Sequence, residues 1–168
     1  GVDSYDLYVT VDSRGSKGAL HMYNKFNMDV PANMFVVEYA SRPDLASIFY
    51  EDVLMCAFYY GYPLLIENNK YGIARYFESR GYDGYLMDRP EHLKTSSSGS
   101  VRTKGIPSNS QDVIQSHAHA IEAYIHDHVG VNLETGEMGN MHFNRTLEDW
   151  IGNKIDKRTK IDMTKSSE

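Results

Sequence analysis

Pro63-Leu64-Leu65-Ile66-Glu67 is the stretch that decides the fold, because a short, continuous apolar run ends there directly in an acid. Runs of this kind are typical of central strands that are buried on both faces. Upstream, Ser41-Arg42-Pro43-Asp44 predicts the end of a strand and the start of a helix, since proline fits the first helical turn and short polar side chains can cap it. Downstream, the pattern predicts a second helix over 69–80, closed by Gly81, and a further short strand at 85–87.

The helix predicted before this strand has apolar residues that recur at helical spacing and form one face. They are Leu45, Ile48, Phe49, Val53, Cys56, Ala57 and Tyr60. Because Cys56 is the only cysteine, an internal disulfide framework is excluded, and we interpret the residue as a small core hydrophobe.

The remaining elements are predicted on either side of this unit. Three closely spaced β-rich runs, 7–12, 19–26 and 33–40, indicate an antiparallel meander. The acid-free polar stretch 92–105 is predicted to be a mobile loop by its composition. In the C-terminal part, a long helix is predicted over 108–129, with Ile114, Ala118, Ile121 and Ile125 pointing inward. A hairpin is predicted within 130–143, a short helix over 147–151 and a last helix from 158 or 159.

Antiparallel strands followed by βαβ units make a mixed sheet with helices on both faces. We therefore expect an α/β protein with the layout of the ribonuclease H-like fold. The 168 residues suit one domain with one core, over residues 1–168. Since Gly1 is not a start methionine and the chain ends in the first turn of a predicted helix, we expect a domain excised from a longer polypeptide.

The charge balance limits the possible partners. The formal net charge is -6, from 17 Lys and Arg against 23 Asp and Glu, which argues against a simple basic coat for nucleic acid. Bases are nevertheless concentrated in 92–105, which holds Lys94, Arg102 and Lys104 and no acid, and in 153–168. A polyanion is thus expected to bind locally. No apolar run is long enough to span a bilayer and no signal pattern is present, so we expect a soluble, intracellular protein without a membrane partner.

Three acids occupy positions that suggest a metal site. Asp3 follows what looks like the tail of a strand, Glu67 ends the apolar strand, and Asp162 lies early in the predicted last helix. A buried carboxylate costs several kcal/mol unless a cation or hydrogen bonds compensate. If the first strand and the Glu67 strand are neighbours, a crossing helix can present Asp162 toward both, and Mg²⁺ or Mn²⁺ prefers such oxygen ligands. Two such ions can catalyse phosphodiester hydrolysis.

Four motifs in order along the chain carry a resemblance to a known family. Gly1-Val2-Asp3-Ser4-Tyr5-Asp6 resembles the GVDPYD-type opening of the nuclease domain of phage terminase large subunits, particularly of the crAss-like phages that infect Bacteroidetes. Glu38-Tyr39-Ala40-Ser41-Arg42-Pro43 is similar to their EYxxRP turn, and Glu67-Asn68-Asn69-Lys70-Tyr71-Gly72-Ile73 to their ENNxxGI segment. Arg158-Thr159-Lys160-Ile161-Asp162 resembles their RTKFD segment.

The resemblance implies a ribonuclease H-like endonuclease that uses two Mg²⁺ or Mn²⁺ ions to cut concatemeric duplex DNA during packaging. Its metal ligands would be Asp3, Glu67 and Asp162, with Asp6 as an auxiliary candidate. Ser4 stands where the family has proline. The full protein would carry an N-terminal ATPase domain, and would act with the portal and the small terminase subunit in the host cytoplasm. No GxxxxGK[ST] sequence is present, so this chain itself is not expected to hydrolyse ATP.

The DNA-contact candidates are basic residues of the two base-rich segments and residues beside the proposed ligands. They are Lys70, Lys94, Arg102, Lys104, Lys157, Arg158 and Lys160. Two alternatives stay open: a catalytically silent ribonuclease H-like module that docks the packaging motor, and a resolvase- or transposase-type nuclease. A zinc hydrolase and a serine hydrolase are disfavoured, because neither HExxH nor GxSxG occurs.

Overall fold

The computed structural model describes residues 1–5, 17–25, 32–68, 71–91, 103–107, 111–131, 134–136 and 138–152. These residues form three strands, β1 (Val2–Asp3), β2 (Gly18–Asn24) and β3 (Met34–Ser41), and one 3-10 helix, Asp83–Tyr85. The four α-helices are α1 (Ala46–Tyr60), α2 (Gly72–Ser79), α3 (Gln111–His128) and α4 (Asn144–Gly152). The expected α/β class is confirmed.

The three strands form an antiparallel sheet in the order β1-β2-β3. Val2 pairs with Leu20, and Leu20 pairs in turn with Tyr39. A register shift between Met22 and Tyr23 marks an irregularity near the end of β2. The predicted strands at 19–26 and 33–40 are confirmed within one or two residues, whereas the predicted strand at 7–12 lies outside the described residues.

The apolar run 63–67 extends this sheet beyond β1 through isolated parallel bridges. On one side of the run, Ile66 forms a parallel bridge with Val2. On the other side of the run, Leu64 forms a parallel bridge with Leu86. A further parallel bridge joins Glu67 to Ile106. Leu64 and Ile66 are almost fully buried. The run is therefore paired on both sides, through isolated bridges rather than as a long strand. The predicted burial on both faces is not observed, because Pro63 is exposed and Leu65 and Glu67 are only partly buried.

One face of the sheet packs on α1 and α2 and forms the main core. Phe49 of α1 is fully buried there, stacked on Tyr39 with ring centroids 5.7 Å apart. The same cluster contains Val2, Leu20 and Ile66 from the paired segments. Because alternate residues of a strand point to opposite faces, the neighbours of these residues must face the other side.

The second face is covered by α3 and α4 and is richer in polar groups. Tyr124 of α3 and Trp150 of α4 both meet Phe35 of β3, with ring centroids 5.2 and 6.0 Å apart. His21 of β2 is buried on this side against Thr146 of α4. Helices thus cover both faces of the sheet, as the sequence predicts.

Two predictions about α1 were wrong. The helix begins at Ala46, after Leu45, and no side chain caps its N-terminus, so Pro43 and Asp44 lie before the first turn. The buried residues of the helix are Ala46, Phe49, Tyr50, Val53, Leu54 and Ala57. Leu45, Ile48 and Tyr60 of the predicted apolar face are exposed. The error arises because apolar residues surround most of this helix, so spacing alone does not select the face that packs on the sheet.

Three further predictions need correction. Tyr85 belongs to the 3-10 helix instead of a strand, because the turn after Gly81 extends to it, and sheet pairing begins only at Leu86. Residues 103–105 are held by backbone pairing rather than mobile: Gly105 N donates to Met87 O at 3.0 Å. In α3 only Val113 is buried, and Ile125, expected inward, is exposed.

The other C-terminal elements agree with expectation where the structure describes them. An antiparallel bridge between Val131 and Met138 lies within the predicted hairpin, and α4 contains the predicted 147–151. The predicted last helix lies outside the described residues. Among the helices described, none is both long and apolar enough to cross a membrane.

Gly18 tests the packing of the main core. A Cβ at this position would lie 2.6 and 2.7 Å from two ring carbons of Phe49, which has no room to shift. We expect Gly18→Ala to lower the free energy of unfolding by about 1–3 kcal/mol, the usual cost of overpacking a core. Urea denaturation measures this.

Gly84→Ala is the matched control, since nothing lies within 4 Å of its Cβ position. Its effect should be within about 0.5 kcal/mol, as for other open sites. Equal stability of the two variants would show that the Phe49 ring leaves room for a Cβ atom at Gly18.

Candidate metal centre

The parallel pairing of β1 with the apolar run brings two acids to neighbouring positions. Val2 N donates to Leu65 O at 2.9 Å, and Glu67 N donates to Val2 O at 3.0 Å. Asp3 and Glu67 each come one residue after the bridged pair Val2 and Ile66. Since Val2 and Ile66 point into the main core, the two acids point to the opposite face. The adjacency predicted from sequence for Asp3 and Glu67 is observed.

The Asp3 carboxylate is withdrawn from water, whereas Glu67 is partly exposed with one carboxylate oxygen buried. Asp3 is 2% exposed, and Oδ1 of Asp3 and Oε2 of Glu67 are buried atoms. Two neighbouring carboxylates, one buried and one partly buried, repel each other and lose hydration, a cost that hydrogen bonds or a cation must offset. Carboxylate oxygens are the ligands that Mg²⁺ and Mn²⁺ prefer, so this donor set suits such an ion.

Hydrogen bonds of two tyrosines, Tyr5 and Tyr50, fix the end of the segment that carries Asp3. Tyr5 is buried, and its hydroxyl donates to Pro43 O at 2.8 Å. Tyr50 of α1 donates to Tyr5 O at 3.0 Å. The guanidinium of Arg42 lies over the Tyr5 ring, 4.7 Å from its centroid. The opening motif and the Arg42-Pro43 turn are therefore packed on each other, which holds Asp3 in place.

The segment that carries Glu67 is fixed from the opposite side. Asn68 Nδ2 donates to Lys104 O at 2.6 Å, and Lys104 Nζ is bound to Asp88 Oδ1 and to Leu86 O, both at 2.9 Å. Of the predicted DNA-contact residues, Lys104 is thus partly engaged within the protein. Gly105 packs so closely that a Cβ would lie 2.7 Å from Cγ1 of Ile66. This close approach, at a φ of 70°, explains a glycine at that position.

The other predicted site residues lie outside the described residues. They are Asp6, Lys70, Lys94, Arg102, Lys157, Arg158, Lys160 and Asp162. Within the part of the chain that the structure describes, no group of three or more metal-ligating side chains is found. Asp3 and Glu67 are a pair there, and the contribution of Asp162 and Asp6 stays a prediction.

A buried polar network on the same face was missed by the sequence analysis. Thr146 Oγ1 donates to Glu38 Oε2 at 2.7 Å and lies 2.6 Å from Nε2 of His21. Since the threonine proton goes to the carboxylate, Nε2 of His21 is the donor to Thr146 Oγ1. Burial lowers the pKa of His21 to about 3. The network joins β2, β3 and α4, and no local pattern in the sequence marks it.

Comparisons of the chain with protein-family models, with curated proteins and with solved structures found no match. The functional argument therefore depends on the residues themselves.

The low pKa of His21 makes stability depend on pH. Between about pH 6.5, its ordinary pKa, and pH 3, the unfolded chain binds a proton that the folded chain does not. The free energy of unfolding should consequently fall as pH falls through this window, by up to about 1.4 kcal/mol per pH unit from this residue. Urea denaturation between about pH 5 and pH 7, above most carboxylate titration, measures the slope.

His21→Gln removes the titrating ring, so its slope in that window should be clearly shallower. His119→Gln, on the exposed surface of α3, is the control and should keep the wild-type slope. A His21→Gln protein with the slope of the wild type would contradict the assignment.

Proposed function

We propose that this chain is a metal-dependent DNA endonuclease domain of the kind found in terminase large subunits. The observation that carries the proposal is the parallel pairing that sets the buried Asp3 beside Glu67, which has one buried carboxylate oxygen. The motifs around both acids resemble those of terminase nucleases, and this resemblance implies that the same two residues are metal ligands.

The order of the paired segments supports a ribonuclease H-like layout. β3, β2 and β1 are antiparallel, and 64–67 follows on the other side of β1 through a parallel bridge. Leu86 is bridged in parallel to Leu64, and Asp88 is bridged antiparallel to Lys104. An antiparallel meander continued by parallel pairing is the arrangement that the sequence predicts for this fold. In this layout, the two acids lie where the first paired segment, β1, meets the fourth, 64–67.

Asp3 and Glu67 would hold the metal, together with Asp162 and the auxiliary Asp6. Bound Mg²⁺ or Mn²⁺, expected as two ions, supplies an activated water and stabilises the leaving oxygen in phosphodiester hydrolysis. The chain's own part is to position the backbone segments that carry the two carboxylates, through the hydrogen bonds of Tyr5 and Asn68. Duplex DNA is the proposed substrate, and the ATPase domain, portal and small terminase subunit are the proposed partners.

Glu67→Gln is the direct test of the metal site. The amide keeps the shape of the side chain but removes its charge, so we expect an intact fold and loss of most Mn²⁺-dependent nicking of supercoiled plasmid. Removing a repelling charge from this pair is also expected to raise the stability without metal slightly. Plasmid relaxation, Mn²⁺ titration by calorimetry and thermal unfolding give the three readouts.

Glu78→Gln, at an exposed position of α2, is the matched control and should nick as the wild type does. Nicking that persists in EDTA, or in Glu67→Gln at saturating Mn²⁺, would refute the proposal. A chain with neither metal binding nor nicking would instead be the silent docking module. Preference for a four-way junction over plasmid would favour a resolvase-type enzyme.

DNA binding should depend on the acid-free segment. Replacing Lys94 and Arg102 by alanine should weaken binding to all duplex sequences about equally. The slope of log affinity against log salt should flatten by up to about two units, since each phosphate contact contributes roughly 0.9. Fluorescence anisotropy with labelled duplexes at several salt concentrations measures this slope.

Arg75→Ala, at an exposed position of α2, is the control for loss of a positive charge elsewhere. It should leave the slope close to that of the wild type. If the double variant also keeps the wild-type slope, the DNA contacts lie outside 92–105.

A further inference from the structure

An open pocket of about 430 Å³ lies between the second face of the sheet and α3. Gly1, His21 and Leu65 line it on the sheet side, and Ala120, Ala123 and Asp127 line it on the helix side. Its volume lies in the range of small-molecule sites. The pocket exists because α3 contributes few buried residues, Val113 alone among those described, and so does not close onto the sheet.

Aromatic side chains form much of the pocket wall. Tyr23, Phe35, Tyr124 and Trp150 all line it. Their rings contact one another, with centroids 5.1 Å apart for Tyr23 and Phe35 and 5.9 Å apart for Tyr124 and Trp150. Such a cluster is already held in place by its own packing, so a flat ring can dock against it with little loss of side-chain freedom.

The charges of the lining select against anions. Among the residues that the structure describes, no lysine or arginine lines the pocket, and Asp127 is its acidic residue. Burial lowers the pKa of His21 to about 3 and raises the pKa of Tyr124 to about 12, so both are neutral near pH 7. His128 and Gly1 also line the pocket, but a phosphate group would find no lysine or arginine among the described lining residues. An amino group on a ring would find the Asp127 carboxylate, which is also paired with His126 at 2.8 Å.

The pocket lies next to the proposed metal centre. Gly1 and Leu65, which line it, come two residues before Asp3 and Glu67 in the same paired segments. Residues two apart in an extended chain point to the same face, roughly 7 Å apart. A ligand in the pocket would therefore occupy the same side of the sheet as the two carboxylates.

We infer that this pocket binds a planar, uncharged heteroaromatic ring that carries an amino group, such as a nucleobase. The aromatic wall packs on the ring, and Asp127 accepts a hydrogen bond from the amino group. The ring is supplied either as a free small molecule or as an unstacked base of bound DNA. The second source rests on the proposed nuclease function, whereas binding of the free ring does not.

Trp150 is the only tryptophan of the chain and lines the pocket, so its fluorescence reports binding directly. Adenine is titrated into the full chain without metal or DNA. Saturable binding is expected, with a dissociation constant of about millimolar or below, as for a ligand of about ten non-hydrogen atoms. Purine, which lacks the amino group, should bind about fivefold more weakly, and Asp127→Asn should reduce that difference.

Ala123→Phe fills the pocket and should abolish saturable binding. Gln115→Phe, at an exposed position of α3 outside the lining, is the matched control and should bind adenine as the wild type does. Circular dichroism establishes that both variants fold. The inference is overturned if adenine causes no saturable change, or if Ala123→Phe and Gln115→Phe bind it equally.

Competition with DNA then identifies the source of the ring. If adenine lowers the affinity of wild-type protein for duplex DNA, and Ala123→Phe weakens DNA binding without adenine, the ring is a DNA base. If adenine binds and DNA affinity is unchanged in both tests, the ring is a free small molecule. Because the adenine titration needs neither metal nor cleavage, loss of the proposed nuclease function would leave its result intact.

Discussion

The parallel pairing of β1 with the run 63–67 is the interaction on which the rest of the described structure depends. β1 has only two residues, yet Gly1 O accepts from His21 N at 3.0 Å on one side, and Val2 N donates to Leu65 O at 2.9 Å on the other. This short strand therefore joins the antiparallel sheet to the parallel bridges. The same register sends Val2 and Ile66 into the main core and sends Asp3 and Glu67 to the opposite face.

The two faces of the sheet consequently differ in polarity and in how tightly they are packed. The face under α1 is a closed apolar core around Phe49, where a single added carbon has no room. The face under α3 and α4 contains the acids, the His21 network and an open pocket. Apolar burial on one face supplies stability, which allows the other face to keep buried polar groups and empty space.

The motifs that resemble terminase nucleases contain residues of two kinds. Asp3 and Glu67 are the candidates for chemistry, whereas Tyr5 and Arg42 pack the turn that holds Asp3 in place. Glu38 ties β3 to α4 through Thr146. Sequence similarity alone does not separate these roles, because a residue that positions a ligand and a residue that provides one can recur in the same motif.

The sequence by itself determined the α/β class and most helix and strand positions, because local periodicity and short apolar runs encode them. The adjacency of Asp3 and Glu67 was predicted only on the condition that their strands pair, and the tertiary structure decided that pairing. The sequence did not determine which face of α1 is buried, because that helix is apolar around most of its surface. The network of His21 with Thr146, 125 residues away, and the gap under α3 arise only from tertiary packing. Contacts between residues so distant in sequence leave no local pattern, so only the folded chain decides them.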